Sequence, residues 1–200
     1  MTLAKRSRAQ LCDAFDEFGP LAPTLAGDWS TADLAAHVWL REHRPSAALG
    51  IVMQRFAPRT QRLQVEALHT LGYQELVRQL RIPAPLIRPV DRFFNGAELT
   101  IHLLDVLKPQ GRDARFTDED QGAMWKMVGM MARRAKVDAR LNLRWDSRML
   151  GVGKGDHTVH VVGKPSELVL FFSGRGEHAD VQIVGEPQVV EQLTGSVPPM

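Results

Sequence analysis

The sequence predicts a mainly α-helical protein, with a helical bundle over residues 1–137 followed by a small α/β domain over residues 138–200. Three observations carry that prediction. Segments with the apolar spacing of amphipathic helices cover about 3–19, 31–50, 57–80, 90–108 and 117–136. Gly/Pro-rich stretches separate them, among them Gly19-Pro20, Ile82-Pro83-Ala84-Pro85 and Lys108-Pro109-Gln110-Gly111. Beyond residue 137 the texture changes to short alternating and β-branched runs.

The start of the second helix is well marked. Ser30 followed by Asp33 resembles a capping box, in which the serine hydroxyl accepts from a free backbone N–H and the acidic side chain accepts in return. Trp29, just outside, is placed to pack on the first turn and so to aim His37. In the second region Leu141-Asn142-Leu143-Arg144-Trp145 alternates like a strand, and Thr158-Val159-His160-Val161-Val162 is β-branched. With Gly151-Val152-Gly153-Lys154-Gly155-Asp156 as the turn between them, the two read as a hairpin. Pro165 to Phe172 is an apolar run whose length fits strand or helix. Pro165 at a first turn, Glu167 near the positive end and Gly174 or Gly176 as a cap predict a helix. Val181-Gln182-Ile183-Val184 reads as a strand, and Pro187 to Leu193 as a short closing helix.

Composition narrows the function classes. The 200 residues are 44% hydrophobic and 24% charged, the balance of a globular protein with a substantial core. Net charge is only +2 and the basic residues are scattered, so no nucleic-acid partner is expected. The single cysteine, Cys12, cannot form an internal disulfide and there is no CxxC pair, which points to a reducing compartment. Residues 1–19 lack the apolar run of a signal peptide, and no stretch approaches the ~18 apolar residues of a membrane span. The expected location is cytoplasmic.

Chemistry concentrates on two helices. Asn95, Glu98, His102 and Asp105 form a narrow polar stripe among Phe93, Phe94, Ala97, Leu99, Ile101, Leu103, Leu104, Val106 and Leu107. Glu98 and His102 are one turn apart, separated by about 40° of rotation, so both leave the same face. His37 lies on the other apolar helix. Two imidazoles and a carboxylate suit zinc or a similar divalent ion with one position left open. Asp33, one turn before His37, and Asp105, one turn after His102, are candidates to orient the imidazoles. On a central helix Glu98 would be buried and would need a metal or an arginine beside it. A solvated stripe on a metal-free helical module is the plain alternative. Arg41, one turn beyond His37, and Arg175, after Gly174, are candidate substrate groups; an ion-paired surface arginine and a helix-dipole cation are the structural readings of the same two residues. His43, His69, His157, His160 and His178 show no pairing that suggests a second site.

These residues resemble a known family. Trp29-Ser30-Thr31-Ala32-Asp33-Leu34-Ala35-Ala36-His37-Val38 is similar to the W-(S/T)-xx-(D/E)-L-x-x-H segment of the DinB-like, mycothiol-dependent maleylpyruvate isomerase superfamily. Glu98-Leu99-Thr100-Ile101-His102-Leu103-Leu104-Asp105-Val106 is similar to its E-x-x-x-H-x-x-D element. Gly163 to Arg175 is similar to the G-x-P-x-E-L-x-L-x-x-x-G-R segment of the small α/β domain that follows the bundle. The wording around Leu40-Arg41-Glu42-His43-Arg44-Pro45 is most similar to an actinobacterial metal-binding branch.

The resemblance implies a four-helix bundle holding a divalent metal, zinc in this branch, through His37, Glu98 and His102. It further implies mycothiol as co-substrate and a small electrophilic substrate, with transfer or isomerisation as the reaction. It selects neither the substrate nor between those two reactions, and a non-catalytic metal- or ligand-binding protein of the same fold remains open.

Overall fold

Thr2, Ser30 and Thr117 each set a hydroxyl over the free N–H groups of a helix start, and three helices begin where those hydroxyls stand. At Ser30 and Thr117 the box is complete, with Asp33 and Asp120 accepting from the backbone of the capping residue. The computed structural model describes residues 1–44, 57–84 and 94–197. They fall into two compact units, Met1–Ala114 and Arg115–Met200.

The first unit contains α1 (Leu3–Phe18), α2 (Thr31–His43), α3 (Ala57–Leu71), α4 (Tyr73–Leu80) and α5 (Phe94–Leu107), closed by a 3-10 turn at Lys108–Gln110. Helix α1 packs along α5, and α2 packs on α3 and α4. Leu11, Phe15, Leu34, Leu40, Leu76, Leu80, Leu99, Ile101, Leu103 and Leu104 are buried completely. Each such side chain contributes about 1.5–3 kcal/mol through burial. The end of the predicted helix 31–50, the start of 90–108 with Phe93, and Pro45 and Pro85 lie outside the described residues.

The predicted helix 57–80 is two helices. Gly72, at φ 77, turns the chain between α3 and α4. Tyr73 then donates its hydroxyl to the carbonyls of Phe15 and Gly19 at 2.7 and 3.2 Å, anchoring α4 to the end of α1. One glycine in a helical pattern does not by itself announce a break; the partner for Tyr73 comes from another element.

The second unit contains α6 (Asp118–Ala132), β1 (Ala139–Trp145), β2 (Arg148–Val152), β3 (His157–Gly163), α7 (Pro165–Phe172), a 3-10 turn at Gly176–His178, β4 (Val181–Val184) and α8 (Pro187–Ser196). The molecule is thus mainly α, with an α/β part at its C-terminal end. Helix α6 buries Met124, Val128 and Met131 and packs on α7 and β2. Gly129 permits this, since a Cβ there would stand 2.6 Å from Leu150 Cδ2. Helix α6 therefore belongs to the compact unit Arg115–Met200. Apolar spacing shows that α6 has a buried face but not what covers it.

The hairpin expectation needs correction. The sheet order is β2-β1-β3-β4, and the two predicted strands, β1 and β3, run parallel, with Leu141 opposite Val159. The antiparallel partner of β1 is β2, joined to it through Asp146 in the left-handed region at φ 52. Strand β2 escaped notice because Val152 is its only β-branched residue and most of it is exposed on the sheet edge. The glycine-rich stretch is not a hairpin turn: it carries the chain across the start of β1. A Cβ on Gly153 would lie 2.7 Å from the Ala139 carbonyl oxygen, and one on Gly155 would lie 2.8 Å from backbone atoms of Asp138 and Ala139. Helix α7 forms as predicted. Gly174, at φ 87, donates to Phe171 O while Arg175 N–H donates to Leu170 O, the paired bonds of a Schellman ending.

Gly153→Ala combines a positive φ with that backbone overlap, so it is expected to lower stability by about 1–3 kcal/mol. Gly195→Ala, in α8 with open space around it, is expected to be neutral or stabilising by up to about 1 kcal/mol. Urea unfolding of both variants measures the contrast.

Candidate metal centre

His37 leaves the buried side of α2 with only 7% of its surface exposed. The Trp29 ring packs on it at 4.9 Å between centroids, so the residue just outside the cap reaches beyond the first turn to touch the imidazole itself. Gln64, from α3, lies with its side-chain amide nitrogen 3.1 Å from His37 Nδ1. Asp33 does not take that position. Its Oδ2 accepts from the Ser30 N–H at 3.0 Å and the Ser30 hydroxyl at 2.6 Å, so Gln64, not Asp33, is the residue that orients His37.

On α5, His102 is 5% exposed and its Nδ1 stands 3.0 Å from Asp105 Oδ2, inside the hydrogen-bonded pairing expected from the sequence. Among the described residues its buried Nε2 finds no hydrogen bond, and it stands 3.4 Å from Glu98 Oε2. The His37 and His102 rings meet edge to face at 5.3 Å. Glu98 is 26% exposed, so it opens the cluster to solvent instead of lying in the interior as expected. Among the described residues, as the side chains stand, no group of three or more His, Cys, Asp or Glu is arranged around a common cation position. Glu98 is instead drawn towards Arg41, whose Nη1 lies 3.8 Å from Oε2.

Behind the cluster runs a second line of polar groups. Arg41 donates through Nη2 to Asn95 Oδ1 at 2.6 Å, and Asn95 donates through Nδ2 to Glu42 Oε1 at 3.1 Å. Arg8 of α1 grips Glu42 with two bonds of 2.8 Å and also donates to the Leu80 carbonyl at 3.0 Å. Sequence reading missed Arg8, Glu42 and Gln64. A signal existed for Arg8, because Ala4, Arg8, Leu11 and Phe15 share one helical face and only the arginine is polar. Gln64 carried none.

The electrostatics follow from this packing. Burial, reinforced by His102, pushes His37 down to about 3, so it is neutral across the physiological range. Burial pushes Glu98 up, but His102 and Arg41 outweigh it and hold the carboxyl at about 2. For His102, burial acts downwards and is overcome by Asp105 and Glu98, which raise it. One neutral imidazole, one carboxylate and one imidazole braced by a second carboxylate therefore converge.

Arg175, in the second unit, is buried and donates to the Ser173 carbonyl at 2.6 Å. His43 stacks on Trp39 at 4.8 Å, and His157 pairs with Glu186 on the surface. Cys12 is a free, buried thiol pushed up to about 12 by burial.

Two solved structures match this architecture over nearly its whole length. The crystal structure of the mycothiol-dependent maleylpyruvate isomerase covers 92% of this chain and 91% of its own, with a TM-score of 0.56 and 16% sequence identity. The chain has the fold of that isomerase. A histidine-to-alanine variant of the same isomerase matches with the same values. No protein-family model and no curated protein sequence matches the chain. Among the described residues no helix is long and apolar enough to cross a membrane.

The metal-free protein is expected to lose stability as pH falls from 6.5 towards 3. Over that window the unfolded chain binds a proton at His37 that the folded chain refuses. His37→Asn removes this contribution, so urea unfolding at neutral pH and within the window should show a shallower acid loss for the variant than for the wild type. Equal slopes would contradict the burial of a neutral imidazole.

Proposed function

We propose that His37, Glu98 and His102 hold a divalent metal ion, zinc by the family resemblance. On this reading the protein is a cytoplasmic thiol-dependent isomerase or transferase acting on a small electrophile, with mycothiol as the thiol. The observation that carries the metal reading is the Nε2 of His102, buried without a well-formed hydrogen bond and only loosely approached by Glu98 Oε2 at 3.4 Å, beside the neutral imidazole of His37. A buried ring nitrogen so poorly satisfied is costly, and a cation is the partner that this donor set fits. The shared fold supports the thiol reading.

When bound, the cation supplies positive charge that keeps a coordinated thiol deprotonated near neutral pH. The chain's own residues prepare the donors. Asp105 accepts a hydrogen bond from the Nδ1–H of His102, which leaves Nε2 carrying the lone pair. Gln64, whose amide nitrogen stands 3.1 Å from His37 Nδ1, would do the same for His37 with the amide turned over, its oxygen then accepting from the Nδ1 proton. Glu98 contributes the charge and the solvent-facing side. Arg41 stands beside the cluster with Nη1 buried and without a hydrogen-bond partner, placed to receive an anionic group of the substrate. A thiol that adds to an activated double bond and is eliminated after rotation gives isomerisation; one that stays attached gives transfer.

Metal analysis of untagged protein is expected to show one equivalent in the wild type and a loss of it in His37→Ala and in Glu98→Ala. Unchanged stoichiometric metal in both variants would remove these ligands from the scheme. Gln64→Ala and Asp105→Asn should each weaken metal affinity by ~10–100-fold, measured by competition with a chromophoric chelator. In cobalt-loaded protein, mycothiol should produce a sulfur-to-metal charge-transfer band. Its absence across thiols would favour a metal-binding protein without turnover.

A further inference from the structure

We propose that Asn95 is a positioning residue for Arg41, working from the fixed point of the Arg8–Glu42 pair. The proposal rests on the reading of Arg41 as a substrate-binding group. Arg41 has a long, 17% exposed side chain, and its guanidinium bonds to Asn95 of another helix. Asn95 is 5% exposed and joins that guanidinium to Glu42.

The chemistry of the join is specific. Glu42 offers only acceptors and Arg41 only donors, so a residue between them must donate on one side and accept on the other. An amide does this in one orientation alone, with Nδ2 towards Glu42 and Oδ1 towards Arg41. An aspartate would set two carboxylates together, and an apolar residue would leave both partners without the bridge.

The bridge also has an electrostatic consequence. Glu42 is gripped by Arg8 at 2.8 Å through both oxygens, and Asn95 stands between it and Arg41. The carboxylate found beside Arg41 is then Glu98, at 3.8 Å, too far for a good hydrogen bond. Arg41 is thereby fixed in direction while Nη1 stays unspent at the cluster. A merely structural arginine would have its donors used by the fold.

The test is a double-mutant cycle with acetate as the probe. Binding of acetate to zinc-loaded protein is measured by calorimetry in the wild type, Asn95→Ala, Arg41→Ala and the double variant, and zinc stoichiometry is measured on the same samples. Acetate's own attraction to zinc is common to all four proteins and cancels in the cycle. Asn95→Ala is expected to weaken acetate by about tenfold, the scale of a lost charge-assisted hydrogen bond, and to have no further effect once Arg41 is gone. The side-chain ¹⁵N signal of Arg41, slow to rotate in the wild type, should show free rotation in Asn95→Ala. Equal losses with and without Arg41, or an unaltered Arg41 signal, would overturn the proposal. Failure of the wild type to bind acetate would overturn it together with the anchor reading, while zinc stoichiometry reports on the metal reading separately. Asn95→Ser, which keeps a hydroxyl, replaces Asn95→Ala in the cycle if the latter does not fold.

Discussion

Arg8 and Glu42 meet inside the helical unit through two parallel hydrogen bonds of 2.8 Å, with 3% and 1% of their side chains exposed, and the candidate centre is built outward from them. Taking both ions out of water costs several kcal/mol each, which only excellent geometry offsets. Here the bidentate fork, the Leu80 carbonyl and the Asn95 amide supply that geometry. The pair links α1 to α2, the end of α4 and the start of α5 in one network. An ion left alone there would cost about 3–5 kcal/mol, so the register of α1 against α2 is strongly specified, and Asn95 carries it on to α5 through its bond to Glu42. On the same pair of helices, α2 and α5, the His37 and His102 rings meet.

The centre itself is a balance between burial and charge. Apolar walls keep His37 neutral, and the same low-dielectric surroundings strengthen the attraction of Glu98 for His102 and Arg41. Glu98 stands between Arg41 and His102, and among the described residues no three His, Cys, Asp or Glu side chains surround one cation position. The partial exposure of Glu98 leaves one side of the cluster open to solvent.

The second unit shows how far local signals reach. Periodicity and turn residues identified α7, β4 and α8, because Pro165, Gly174 and the alternation at Val181–Val184 act within a few residues. They misassigned the pairing of β1 and β3. Alternation states that a strand has a buried face but not which strand lies beside it, and the exposed edge strand β2 has little alternation to read. Gly153 and Gly155 were visible as a glycine-rich turn; that they clear the backbone of Asp138 and Ala139 is a matter of contact between distant residues.

By itself the sequence determined the helical character of the first region, the change of texture after residue 137, the capping box at Ser30 and the stripe carrying Glu98, His102 and Asp105. All of these depend on interactions within one or two turns of chain. Tertiary structure alone decided that α6 packs with the second unit, that Gln64 and not Asp33 partners His37, and that Arg8, Glu42 and Asn95 stand behind Arg41. Those outcomes rest on groups brought together from separate helices, where the cost of an unpaired buried charge selects the partner and no local pattern records the choice.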